Sequence, residues 1–152
     1  MPNFNFCEIR EFLLCKVGVC CFSEEMSDLM WAYYGGSHHG YCVEYEVDLN
    51  KVSNLKKVCY STERENISIY ELLFSPANTT LRIIGSKDIC WQHEKEWRIY
   101  DLSGNVTDEP ISLPDGITQV RIITGQKISE ENKNKLKKLG LDVVDFKKIN
   151  NR

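Results

Sequence analysis

The segment Trp91-Gln-His-Glu-Lys-Glu-Trp-Arg98 sets two carboxylates, Glu94 and Glu96, close to the guanidinium of Arg98. Side chains alternate along a strand, so a strand from Glu94 would put Glu94, Glu96, Arg98 and Tyr100 on one face. Lys95, Trp97 and Ile99 would occupy the other. A carboxylate beside an arginine can orient substrate hydroxyls or stabilise developing positive charge. Lys87 and His93 add donors nearby. The plainer alternative is a solvated strand face, the commoner setting for charges on a strand. Gly85-Ser86-Lys87 lacks the rest of a phosphate-loop motif.

A second segment, Cys21 to Gly40, joins a strand end, a short aromatic helix and a glycine-rich turn. Ser23, Trp31, Tyr34 and His39 there could line a planar ligand such as an adenine or nicotinamide ring. On residue types alone the competing reading is favoured. In it Trp31 and the tyrosines are core, and Gly35, Gly36 and Gly40 only permit the turn.

The elements that must position these groups can be traced along the chain. A helix is expected over Glu8 to Cys15 and a buried strand over Val17 to Phe22, with Ser23 placed to open the next helix. Met26, Leu29, Met30 and Tyr33 have helical spacing, and Tyr41 to Asp48 alternates as a half-buried strand. Leu55 to Tyr60 reads as its hairpin partner or near neighbour. Ser68 to Phe74 reads as a short helix ended near Pro76, and Leu81 to Ile84 suits either helix or strand. Strands are expected from Glu94 to Leu102, at Ile111 to Leu113 and from Thr118 to Thr124. Ser129 caps a lysine-rich helix, Gly140 stops it, and Leu141 to Phe146 forms the last strand. Strands outnumber helices and many join without a helical crossover. The fold class is therefore α+β: a mixed, mainly antiparallel sheet with a few short helices and a C-terminal helix-strand unit. Residues 1–152 are expected to form a single domain.

Composition narrows the function. A net charge of -3 does not support a nucleic-acid binder, although a few local donors suffice for a small nucleotide, and nucleic acid stays open as an acceptor. The seven cysteines are odd in number and follow no secretory signal, so structural thiols in a reducing cytoplasm are expected. No metal site is expected. Cys-x-x-Cys is absent, Cys20 and Cys21 would face opposite ways, and His38-His39 suits a turn. No stretch approaches the ~20 apolar residues that cross a bilayer.

At its two chemical segments the chain resembles a mostly bacterial family, domain of unknown function 2971. The matching residues are Cys21-Phe22-Ser23, Met30-Trp31-Ala32-Tyr33-Tyr34 and His38-His39-Gly40, then Lys87, Trp91, Glu94, Glu96, Trp97 and Arg98. Val120 to Gly125 matches a later strand ending in glycine, and the resemblance runs from about Val19 to the C-terminus. Tyr33 stands where the family usually has histidine. The family's stretch before Cys-Phe-Ser is not matched, which implies a short or N-terminally truncated member.

By looser analogy the order of elements is similar to mono-ADP-ribosyltransferase folds. That implies an NAD-using transferase-like or glycohydrolase-like domain, in a toxin or phage-defence setting. NAD would be a substrate, with no permanently bound cofactor. Glu96 would be catalytic, with Glu94 second and Arg98 orienting. Ser23, Trp31, Tyr34, His39, Lys87 and Trp91 would hold the dinucleotide. The rival expectation is a non-catalytic binding or interaction domain that keeps the family's fold.

Overall fold

Alternating side chains build the strands that carry the charged segment, and their pairing decides which charges meet. In a computed structural model that describes residues 17–101 and 113–146, the chain gathers into two compact units, each taken by itself below. The helix expected over Glu8 to Cys15, and all but Leu113 of the strand expected at Ile111 to Leu113, lie outside the described residues.

The first unit covers residues 17–25 and 53–101. Strand β6 (Glu96–Asp101) is central, flanked antiparallel by β1 (Gly18–Ser23) and β3 (Leu55–Lys57). Directly opposed residues share a face in such a pair. The register sets Ser23 against Glu96, Cys21 against Arg98, and Lys56 also against Arg98. One face of this sheet is therefore polar. Ile99 and Leu55, paired on the opposite face, are buried.

Leu55 to Tyr60 is broken at Val58 into β3 and β4 (Cys59–Ser61), and it pairs with β6 and with β5 (Ser86–Asp88) rather than forming a hairpin with the strand from Tyr41. The short parallel pair β4 and β5 follows from that break. Two helices precede β5: Ile69–Phe74, whose Ser68 and Glu71 complete a capping box, and Pro76–Gly85. Pro76 does not simply end the first helix. It opens the second, where its missing N–H costs nothing, and so Leu81 to Ile84 is helical.

The second unit covers residues 26–52 and 113–146. Its sheet runs β2 (Tyr41–Val47), β7 (Ile117–Thr124), β8 (Asp142–Asp145), with β2 antiparallel and β8 parallel to β7. Trp31, Ile123 and Phe146 form its core, with Met26 and Cys42 packed against them. The helix ahead of β2 spans Asp28–Tyr33, and Ser27, not Ser23, caps it by accepting from the Met30 amide. The lysine-rich helix Glu130–Lys137 is capped by Ser129 as expected, and Lys133 pairs with Asp145 of β8. The fold is thus α+β, with mainly antiparallel pairing and a C-terminal helix and strand. No helix among the described residues is long and apolar enough to cross a membrane.

Candidate functional site

Glu94 is not part of the strand. It closes a 3-10 helix, Ile89–Glu94, and Lys95 follows in the left-handed region at φ 43°. A left-handed non-glycine residue costs about 1–2 kcal/mol, so tertiary contacts must hold it there. They do. The Lys95 ammonium pairs with Glu25, its carbonyl accepts from the Glu24 amide, and its amide donates to the Gln92 carbonyl. The result of that turn is that Glu94 and Glu96, two residues apart, present their carboxylates to the same ammonium.

That ammonium belongs to Lys87 on β5. Its Nζ donates to Glu94 Oε2, and to Glu96 Oε2 at 3.1 Å. From β6, Arg98 Nε donates to Glu96 Oε1 at 2.8 Å and Arg98 Nη2 to Glu96 Oε2 at 2.9 Å, a bidentate pair. The remaining arm of Arg98 donates to the Ile84 carbonyl at the end of helix Pro76–Gly85, where a cation also meets the negative end of the helix dipole. Lys87 lies 5.2 Å from the centre of the Trp91 ring. Glu94 is 3% exposed and Glu96 6%, so the strand's charged face is not solvated.

Backbone contacts fix the frame. Ser23 Oγ donates to the Glu94 carbonyl at 2.7 Å and lies 2.8 Å from the Glu25 carbonyl. The Glu96 amide donates to the Tyr60 hydroxyl at 2.9 Å, and the Val58 amide donates to the Glu96 carbonyl at 2.9 Å. Tyr60 and the Ile84 carbonyl are members of the site that sequence alone did not single out. Nothing in local spacing links either to Glu96; only the β4–β5 pairing and the helix end bring them there.

Protonation follows from these partners. Burial works to raise the Glu96 carboxyl, but hydrogen bonds from Arg98, Cys21 and Lys87 overcome it and hold the group at about 2. Burial would lower Lys87, yet its bonds to Glu94 and Glu96 keep it above its ordinary value. Cys21 is pushed up to about 11, by burial and then by the neighbouring Glu96 carboxylate. Its thiol is therefore protonated at neutral pH, which makes it a poor nucleophile. A Lys87 held as a cation is equally unsuited to attack a carbonyl.

The sign of the Glu96 linkage is definite. An unfolded glutamate titrates near 4.5 and the folded one at about 2. Stabilisation from this group is thus complete above about pH 4.5 and is lost as pH falls toward about 2. Acid unfolding followed by circular dichroism should show that loss in the native chain and a shallower slope over the same range in Glu96→Gln. Parallel profiles for the two proteins would refute the assignment.

The other expected site residues lie in the second unit. Trp31 is 3% exposed, and its ring stacks on His38 at 5.7 Å between centres and packs against Phe146 at 5.4 Å. Its indole N–H makes no hydrogen bond with any described residue, and neither does His38 Nδ1. Tyr34 is 63% exposed, and His39 Nδ1 lies 3.1 Å from the Gly36 carbonyl. The first unit brings together Ser23, Lys87, Trp91, Glu94, Glu96 and Arg98, whereas Trp31, Tyr34 and His39 belong to the second. Among the described residues no group of His, Cys, Asp or Glu is placed to hold a metal ion.

A family described as "Protein of unknown function (DUF2971)" matches residues 30–99. The matched span contains both Trp31-Ala-Tyr-Tyr34 and Trp91 to Arg98, but not Cys21-Phe-Ser23 or the strand ending at Gly125. No curated protein and no solved structure matches the chain.

Proposed function

We propose that this chain, which matches the DUF2971 family over residues 30–99, is a non-catalytic binding domain whose buried charge cluster organises the first unit. The observation that carries the reading is the saturation of Glu96. A carboxylate offers about four acceptor positions. Arg98 and Lys87 take three of them, the Cys21 thiol adds a further donor, and the side chain is 7% exposed. A glutamate meant to bond a ribose hydroxyl must reach its substrate; this one is turned inward upon its own cations. In the same reading the chain works in a reducing cytoplasm, in keeping with the free thiols of Cys20, Cys21, Cys42, Cys59 and Cys90.

The NAD-using transferase or glycohydrolase is the second reading, and one observation favours it. Glu96, held at about 2, stays ionised at any working pH, as a carboxylate that stabilises an oxocarbenium-like state must. Incubation of the full chain with NAD separates the two. The binding reading expects no nicotinamide release above the buffer rate. Release that disappears in Glu96→Gln, with that variant still folded, would overturn it in favour of the enzyme.

A further inference from the structure

Beside the cluster, the first unit contains an open groove of about 660 Å³, a size suited to a small-molecule ligand. None of the residues implicated from sequence lines it. The groove lies between β3 and helix Pro76–Gly85, with Leu81 and the Tyr100 ring among its apolar lining. Its depth follows from Gly85. A side chain there would come within 3.3 Å of the Tyr100 hydroxyl, so the helix end can approach the sheet only as glycine or with displacement of the tyrosine.

The lining is charged on one side of the balance. Among the described residues Lys56, Lys57 and Arg82 contribute cations and Glu65 the single acid. Arg82 is already paired with Glu65 and Glu71, and Lys57 with Glu24. Lys56 makes no ion pair with a described residue, although it sits on the same strand face as Arg98. An apolar lining with one ammonium that no described acid compensates calls for a ligand that has an apolar body and one anionic group.

We infer that this groove binds a small amphiphilic anion, a ring-sized apolar body carrying a phosphate, with Lys56 meeting the phosphate and Leu81 and Tyr100 meeting the ring. The inference rests on the binding reading above and names its ligand class. Arg98 acts as a positioning residue. By holding the Ile84 carbonyl it fixes the helix end that forms one wall.

Cys59 lines the groove and supplies a reporter, while Cys20, exposed on β1, lies outside it. The test is alkylation of the full chain by N-ethylmaleimide, resolved by peptide mass spectrometry, with and without phenyl phosphate. At twice its dissociation constant a groove ligand should slow Cys59 about threefold and leave Cys20 unchanged, following simple occupancy. Phenol and inorganic phosphate, each carrying half the chemistry, should protect less. Lys56→Glu should abolish the protection; Lys56 is exposed and pairs with no described acid, which gives that variant little reason to misfold. Protection that persists in Lys56→Glu, or that extends equally to Cys20, would overturn the proposal. Equilibrium dialysis separates the two levels. Phenyl phosphate retained without protecting Cys59 overturns the groove and leaves the binding reading standing, whereas no retention overturns the groove and counts against that reading too.

Discussion

Replacing Glu96 by alanine is expected to lower stability by about 3 kcal/mol at neutral pH, measured by urea unfolding. The size follows from what is left behind rather than from the bond removed. Arg98 would lose the partner for two of its arms and Lys87 one of its two carboxylates, with side chains only 15% and 23% exposed. Partial access to water lets both cations recover some solvation, so the expectation sits at the low end of the range for breaking a buried pair. Lys87→Met makes the complementary test. It removes the ammonium that Glu94 and Glu96 share, and it should also lower stability in the same assay. The Glu96→Ala, Lys87→Met and double variants form a cycle whose coupling should be well above zero, because the residues share one network. A loss below about 1 kcal/mol for Glu96→Ala would mean that the cluster does not hold the unit together, and the case for a purely organising role would fall with it.

The charged segment could be found from sequence, but its state could not. Alternation correctly put Glu96, Arg98 and Tyr100 on one face of a strand, since that pattern is local. It misplaced Glu94, because the turn at Lys95 depends on contacts with Glu24 and Glu25, about seventy residues away in sequence. Whether the face is solvated or buried is not encoded in the local pattern. Burial depends on helix Pro76–Gly85 and on β5, and Lys87 finds its carboxylates only through that packing.

The helix boundaries show the same division. The short helix from Ser68, and Ser129 ahead of Glu130 and Glu131, are short-range signals legible in sequence. At the aromatic helix the expected cap, Ser23, is displaced by Ser27, because Ser23, Glu24 and Glu25 are drawn into contacts with Glu94 and Lys95. The pairing of β3 with β6 was likewise out of reach: proximity in sequence to β2 suggested a hairpin, whereas long-range partners decided otherwise. The groove left no trace in any motif, since its lining comes from separated elements and its cations look like ordinary surface lysines and arginines.

In the second unit, Gly125→Ala is expected to cost about 3 kcal/mol or more, read from urea unfolding. The reason is steric. A methyl group on Gly125 would lie 2.6 Å from the His38 carbonyl carbon, and closer still to its oxygen. That carbonyl cannot retreat cheaply. It accepts from the Lys127 amide at 2.9 Å, His38 itself is in the left-handed region at φ 72°, and its ring stacks on buried Trp31. The Gly125 amide also donates to the Gly40 carbonyl at 3.0 Å, which ties the end of β7 to the glycine turn and leaves neither side room to shift. This is the physical content of a strand that must end in glycine. Gly140→Ala supplies the contrast. Nothing lies within 4 Å of a methyl group there, but φ is 76°, so only the backbone preference is lost, about 1 kcal/mol. Gly125→Ala should therefore be the more damaging by a clear margin. Equal losses at the two positions would show that the His38 turn yields to the added methyl, and that the packing of Trp31 against His38 and Phe146 does not depend on it.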